Sequence, residues 1–559
     1  MQLSTALHSH LLLCTLGQVK LSAVLWQKGS RIMSNIDVKS NREANHASKS
    51  VVRAASTVSG WTMLSRVLGF VRDIILARVL GAGILADAFF VAFKLPNFFR
   101  RLFAEGTLTV ALVPVLTDER KSGEEQAHSF LNAMAGLLLL ALTIITVAGT
   151  LAMPWLLMLF APGFADEPDR WQQTLLLARW MFPYLAFISL TAMAWAVLNT
   201  YKRFSLAAAS PALLNVALIF AAVVLAPNME NPALALAFGV LLGGVLQLGI
   251  QFPALKKLGW VPRPRLDLKM AAVRRTLKLF ATAVLGIAAI QINILVGTIL
   301  ATLLPVGSVS FLYYADRIME LPLALFGIAM GTAILPTLSE HMSNGDRAAA
   351  KYDLSLGLAW LAWLTLPALA GMIWLAGPII ATLFEHGKFT AADTLATAHA
   401  LQAYGVGLVA FCWVRVLAAA CYAEKDAATP TRYAAYGVAT NIVLAIILMQ
   451  FFAHVGLALA TSLAAFVNAT LLFLHIRRSY GGVFEAKDLK RIGRAVVATL
   501  IMVGFLFVLG LFWSFPVEGK LLRAIWLCCA VGGGVIAFFA AAWLLGEKSL
   551  LKMRRGKPV

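Results

Sequence analysis

The sequence predicts an all-α, polytopic membrane protein with about 14 transmembrane helices, arranged as two parallel-repeat six-helix lobes plus two C-terminal helices. Three observations predict it. The 559-residue chain is 60% hydrophobic and only 13% charged, where a soluble domain carries about 25% charged residues. Apolar runs of about 20 residues, enough to span ~30 Å of hydrocarbon, recur from Val51 to the C-terminus. Short landmarks also recur in the same order about 220 residues apart.

The spans are expected at 54–80, 87–116, 128–160, 171–200, 206–226, 233–255, 272–303, 308–338, 353–384, 393–422, 431–452, 456–476, 492–513 and 521–545. The polar loops between them are too short to form a sizeable soluble domain. A net charge of +20 would fit a nucleic-acid binder, but the basic residues sit in these short loops, where they set topology. Segments after even-numbered spans carry Arg120/Lys121, Lys202/Arg203, Lys256/Lys257 and Arg477/Arg478, and the tail is basic. Segments after odd-numbered spans carry only Arg170, Lys388, Lys520 and Arg523. This bias predicts that both termini are cytoplasmic. Residues 1–50 fit no span and are read as a disordered extension or a start called too early, with Met33 as the alternative start.

The repeat rests on three landmarks. Ala111-Leu-Val-Pro-Val-Leu116 and Ala333-Ile-Leu-Pro-Thr-Leu338 place prolines 222 residues apart. Pro154, Leu159-Phe160 and Gly163 recur as Pro378, Leu383-Phe384 and Gly387, with the prolines 224 apart. Tyr184 and Pro211 are echoed by Tyr404 and Pro430 at separations of 220 and 219. An even number of helices per unit makes the copies parallel, an arrangement typical of transporters that rock two lobes around a central site. The expected units are 51–258, 259–480 and a C-terminal pair with its basic tail at 481–559.

Charged residues inside apolar spans are the candidate functional residues, because burying one in hydrocarbon costs about 2.5–3.5 kcal/mol. In the first span Arg66 and Asp73 lie seven apart, nearly on one face, with Arg72 beside them. The second carries Asp87, Lys94 and Arg101 at intervals of seven, then Glu105, with Arg100 alongside. The eighth carries Asp316, Arg317 and Glu320 near Tyr313 and Tyr314. Cations outnumber acids in the first half, which predicts an anionic cargo, and arginine suits phosphate because its planar fork donates two parallel bonds. Pro96 and Pro322 are expected to bend their helices or act as hinges, with Gly106, Gly327 and Gly331 adding flexibility.

Other classes find no support. There is no Walker motif, no His-Glu-x-x-His helix and no zinc spacing among Cys14, Cys412, Cys421, Cys528 and Cys529. No metal, cofactor or enzymatic activity is therefore expected.

Ser65-Arg-Val-Leu-Gly-Phe-Val-Arg-Asp73, Asp87-Ala-Phe-Phe-Val-Ala-Phe-Lys-Leu-Pro-Asn97 and Arg100-Arg-Leu-Phe-Ala-Glu-Gly106 closely resemble the MurJ (MviN) family of bacterial lipid II flippases. Tyr313-Tyr-Ala-Asp-Arg-Ile-Met-Glu320 and Phe384-Glu-His-Gly-Lys-Phe-Thr390 look like the second-half signatures of that family. The resemblance runs from about Ser50 to the C-terminus. It implies membership of the multidrug/oligosaccharidyl-lipid/polysaccharide exporter superfamily and residence in the bacterial inner membrane. It also implies transfer of a lipid-linked peptidoglycan precursor between leaflets, and a groove on the last two helices for a polyprenyl tail. Membrane lipids, and cell-wall assembly proteins as candidates, join lipid II as implied partners. A membrane potential or cation gradient is the implied driving force.

Carried over by motif, Arg66, Arg72, Arg100, Arg101 and Arg317 form the expected substrate-binding set. Asp73, Asp87, Lys94, Glu105, Asp316 and Glu320 form the expected ion-pair and conformational set. The alternatives within the superfamily are a flippase for another polyprenyl-linked glycan and a cation-coupled exporter. A non-transporting scaffold is the alternative outside it.

Overall fold

The computed structural model describes the backbone of residues 56–103 and 106–547, and these hold helices and turns but no strand. Glu105, the 1–50 extension and the basic tail from Lys548 lie outside the described residues.

The first half comprises α1 (residues 56–80), α2 (Ile84–Phe103), α3 (Thr107–Ser122), α4 (Glu124–Leu151), α5 (Met153–Phe160), α6 (Pro168–Met181), α7 (Tyr184–Thr200), α8 (Ser205–Phe220), α9 (Pro232–Gly249) and α10 (Phe252–Lys257). The second half comprises α11 (Ala271–Thr302), α12 (Ser308–Pro322), α13 (Ala329–Ser343), α14 (Arg347–Trp374), α15 (Ala376–Phe384), α16 (Ala391–Val406), α17 (Leu408–Ala423) and α18 (Ala428–Ser479). The last pair is α19 (Ala486–Phe512) and α20 (Lys520–Leu544).

Among the described residues, the expected span ranges fall mostly on helix, broken by short turns such as those at 106, 152, 182–183 and 407. Among the described residues, 10 helical segments are long and apolar enough to cross a membrane. The longest, α18, is two helices meeting at Ala453, whose φ of 47° and ψ of −128° break the rod. Three further helices, α1, α2 and α11, carry several charges each because they face the interior or end near polar loops.

The halves are built alike. Long rods break at Ala152, between α4 and α5, and at Leu375, between α14 and α15, 223 residues on. Lys202 and Lys425, also 223 apart, both adopt left-handed backbone (φ 59° and 61°) in the turns that precede α8 and α18. Pro114 and Pro336 each occupy the eighth position of their helices, α3 and α13. The third sequence landmark is out of register. Tyr184 opens α7, whereas Tyr404 sits inside the end of α16, so the pair does not mark equivalent positions.

Proline acts differently in the two copies. Pro96 lies within an uninterrupted α2. Pro322 ends α12, and the chain continues as a wider π-turn, Leu323–Ile328, before α13. Proline lacks the N–H that would close the normal helical bond, so the π-turn rearranges the bonding around it.

Helices of the first half pack among themselves, α2 on α6, α3 on α7 and α8 on α9. Those of the second half do likewise, α12 on α16, α13 on α17 and α17 on α18. The helix α11, expected to belong wholly to the second unit, packs on α2 and α3 as well as on α18. It forms a shared wall.

The halves meet tightly at one end. There Gly163 lies against the backbone of Thr302 and Leu303, while Gly387, its repeat mate, lies against that of Arg78. Lys388 donates its backbone N–H to the Arg78 carbonyl at 3.0 Å. These reciprocal contacts join the end of α1 to the loop after α15, and the loop after α5 to the end of α11. The helices α2 and α12 pack together at this end, whereas their continuations α3 and α13 pack chiefly on other helices, α3 on α7 and α11 and α13 on α14 and α17. The result is a seam closed at this end.

Gly387 is left-handed (φ 67°), and a Cβ there would stand 2.4 Å from the Arg78 carbonyl oxygen. Gly387→Ala should therefore cost about 1–3 kcal/mol, read as a lower unfolding temperature in detergent. Gly377→Ala, in open space within α15, should be neutral or slightly stabilising. Equal losses for both would remove the close-approach argument.

Candidate functional site: a sealed end and a cationic cavity

Residues related by the repeat face one another along the α2–α12 seam. Asp87 meets Ser310, and the Phe90 ring stacks on the Tyr313 ring with centroids 3.9 Å apart. Lys94 and Arg317 follow one turn further on and line a common cavity. Each of these pairs is separated by 223 residues. The spacing of three and then four keeps each trio on one helix face.

Asp87 is fully buried in the seal. Its carboxylate accepts from Arg170 Nη2 (2.6 Å), Gly307 N (2.8 Å), Ser310 N (2.9 Å) and Ser310 Oγ (2.6 Å). The two backbone donors are free N–H groups at the start of α12, so a side chain of the first half caps a helix of the second. The α12 dipole adds to the attraction. Gly307 is required in this turn: it is left-handed (φ 92°), and a Cβ would stand 2.6 Å from the Ala82 carbonyl oxygen.

Away from the seal, α1, α2, α8, α11 and α12 enclose a cavity of about 550 Å³. A second chamber of about 460 Å³ lies beside α1, α12 and α17. Arg66, Arg72, Lys94, Arg100, Arg101, Arg317 and Arg415 line the two, against Asp73, Asp316 and Glu320. Seven cations facing three carboxylates leave the space strongly positive.

The cations are held differently. Arg72 is nearly buried: Nε and Nη2 donate to Asp73 Oδ1 (2.9 and 2.7 Å), and Nη1 donates to Asn215 Oδ1 (2.9 Å). The Tyr313 hydroxyl donates to the same Asp73 oxygen at 3.0 Å. Arg317 lies 3.3 Å from Asp73 Oδ2, pairs with Glu320 at 2.8 Å and faces the Tyr313 ring at 4.9 Å. One buried carboxylate thus neutralises part of two guanidinium groups. Lys94 Nζ donates to Thr298 Oγ1 at 3.3 Å, and Arg100 Nε donates to Asn97 Oδ1 at 3.1 Å. Arg66, Arg101 and Arg415 are exposed to the cavity side. Asp316 is half-buried in the wall.

The expected stripe from Asp87 through Lys94 to Arg101 therefore divides. Asp87 closes the seal, and Lys94 and Arg101 reach the cavity, because α2 crosses α12 between them. Arg72, expected to touch cargo, has its donors engaged by Asp73, Asn215 and Tyr313.

Sequence reasoning missed Arg170, Asn215 and Arg415. Arg170 fell one residue outside its assigned span and read as a loop cation. Asn215 and Arg415 stand alone within apolar runs. A lone polar side chain there was the available signal.

Next to the second chamber lies an apolar groove of about 440 Å³ between α12, α14, α19 and α20. Trp363, Met502, Leu506 and Phe538 are among its walls, and Leu321 borders both groove and chamber.

Paired helical halves around a polar cavity, sealed at one end, define a membrane carrier of the two-bundle type. A multidrug resistance MATE family transporter of the MOP superfamily, solved in an inward-facing conformation, shares this fold with a TM-score of 0.62 at 14% identity, over 76% of this chain and 98% of that one. More specific matches follow. The family model described as lipid II flippase MurJ matches residues 76–525. The probable lipid II flippase MurJ of Vibrio cholerae is 38% identical, over 90% of this chain and 97% of its own. Lipid II flippase MurJ of Burkholderia cenocepacia is 36% identical, over 90% of this chain and 99% of its own. A solved lipid II flippase MurJ in an inward closed conformation superposes with a TM-score of 0.75 at 26% identity, over 88% of this chain and 99% of that one. The chain belongs to the MurJ family of lipid II flippases, multi-pass proteins of the bacterial inner membrane.

Removing one partner of a buried ion pair costs about 3–5 kcal/mol. Asp73→Asn and Arg72→Gln should each lower thermal stability by that order, and the double variant by less than the sum of the two. Strictly additive losses in a double-mutant cycle would separate the two residues.

Proposed function

We propose that this protein moves lipid II from the cytoplasmic to the periplasmic leaflet by alternating access, without covalent chemistry. The observation that carries the reading is the adjacency of a cationic cavity and an apolar groove, which share Leu321 as a border. A lipid-linked diphosphate needs both environments at once. Its anionic group is stabilised by arginine forks in the cavity, while its tail stays in an apolar channel. A cationic drug would find seven cations and three carboxylates repulsive.

In this reading residues 51–258 and 259–480 are the moving units, and 481–559 supplies the tail groove. The sealed end faces the periplasm and both termini face the cytoplasm. Arg66, Arg101, Arg317 and Arg415 receive the diphosphate, with Lys94 and Arg100 deeper in the wall. Arg72, Asp73 and Asp316 hold the geometry. Glu320 lies exposed beside Arg317 and gives up that partner to the incoming phosphate. Opening to the periplasm requires Asp87 to release Gly307 and Ser310. Cargo favours this only if it binds the outward arrangement more tightly than the inward one.

Depletion of the protein should leave lipid II accumulating in the cytoplasmic leaflet, measured by a leaflet-specific assay. Unchanged periplasmic exposure would remove the reading. Arg317→Ala and Arg66→Ala should fail to restore cell-wall synthesis at wild-type protein levels. Full activity in either would strip that residue of its cargo contact.

A further inference from the structure

Arg170 is buried completely. Nη2 donates to Asp87 at 2.6 Å, within its own half of the chain. Nη1 donates to the Leu304 carbonyl at 3.2 Å, in the other half, and lies 3.3 Å from Glu167. The guanidinium stacks 4.0 Å from the Phe164 ring, which fixes its plane. One rigid group thus reaches both sides of the seam, a division that a flexible ammonium would not hold.

The repeat supplies an internal control. The residue 223 positions after Arg170 is Asp393, which closes a capping box with Thr390 at the start of α16. An acid suffices to build the corresponding helix start there, so the fold does not demand a cation at 170. What distinguishes the first copy is Asp87, whose own mate is the neutral Ser310.

We infer that Arg170 is the positioning residue of the seal: it holds the buried Asp87 carboxylate against Gly307 and Ser310 and so sets the balance between the sealed and parted arrangements of the two halves. In the sealed arrangement Asp87 is fully buried, and Arg170 offsets that burial. Once the halves part, water reaches Asp87 and the offset matters less. Losing Arg170 therefore penalises the sealed arrangement more than the parted one. The inference rests on the alternating-access reading, but its test uses no cargo.

Spin labels at Gln172→Cys and Leu395→Cys, exposed repeat mates on α6 and α16, report the distance across the sealed end. The full-length, otherwise cysteine-free protein in lipid nanodiscs is compared with its variants by pulsed electron resonance. Arg170→Gln should raise the ratio of parted to sealed molecules by at least ~10-fold, the scale of one charge-assisted hydrogen bond. Arg170→Lys should raise it less. Arg170→Gln combined with Asp87→Asn should return it toward wild type, since the neutral pair leaves no uncompensated charge. Unfolding temperatures are recorded in parallel. If Arg170→Gln does not fold, the lysine variant and the neutral pair decide the matter. A wild-type distance distribution in folded variants, with only a lower unfolding temperature, would reduce Arg170 to a structural residue and overturn the inference. Shifted distances, together with unchanged lipid II exposure on depletion, would leave this role standing and defeat the flippase reading instead.

Discussion

A buried carboxylate must find its hydrogen bonds inside the protein, and Asp87 finds them on both sides of the molecular seam. Everything around it serves that requirement. The left-handed Gly307 bends the chain so that the first N–H groups of α12 point across the boundary. The short turn at Gly81 brings α2 back beside the end of α1, with Tyr314 donating to the Gly81 carbonyl. The glycines at 163 and 387 let backbones touch where side chains would hold them apart. Polar bonds of this kind are directional, so they can be made in one arrangement and unmade in another without a graded series between them. An apolar seal of the same area would not offer that choice so sharply.

The cavity follows a different logic. Its charges are deliberately unbalanced, but only some are available. Asp73 is shared by Arg72 and Arg317, and Tyr313 bridges the group through both its hydroxyl and its ring. This fixes two arginines in place while leaving most of the positive excess on Arg66, Arg101 and Arg415, near the open side. Long flexible cations would otherwise lose side-chain entropy on meeting a ligand, and a clustered arrangement lowers that loss. The apolar groove next door has the opposite character, and Leu321 lines both.

Much of this was legible in the sequence, for physical reasons. Lipid exposure forces long apolar runs, so helices were visible; the bias of basic residues was visible because it lies in loops. Duplication was visible at Pro114/Pro336 and Gly163/Gly387, where backbone geometry restricts the choice of residue. It misled at Tyr184/Tyr404, where nothing in the backbone demands tyrosine. The charges were legible as a set but not as two sites, because spacing along α2 says which face a residue takes and not which partner helix it meets. Arg170 and Asn215 were missed since their importance comes wholly from contacts distant in sequence, with Asp87 and with Arg72. The role of α11 as a shared wall was hidden for the same reason.

The α2–α12 seam has a further consequence. On a pseudo-twofold axis a residue faces its own copy. Two identical aspartates at 87 and 310 would confront each other at hydrogen-bonding distance with like charge, and the seal would not form. An assembly of two identical half-length chains could not have closed in this way. Covalent duplication allowed one copy to keep the acid and the other to become a neutral donor. Where the axis enters the cavity the constraint reverses. Lys94 and Arg317 are alike in charge, and both line the cavity rather than closing on each other.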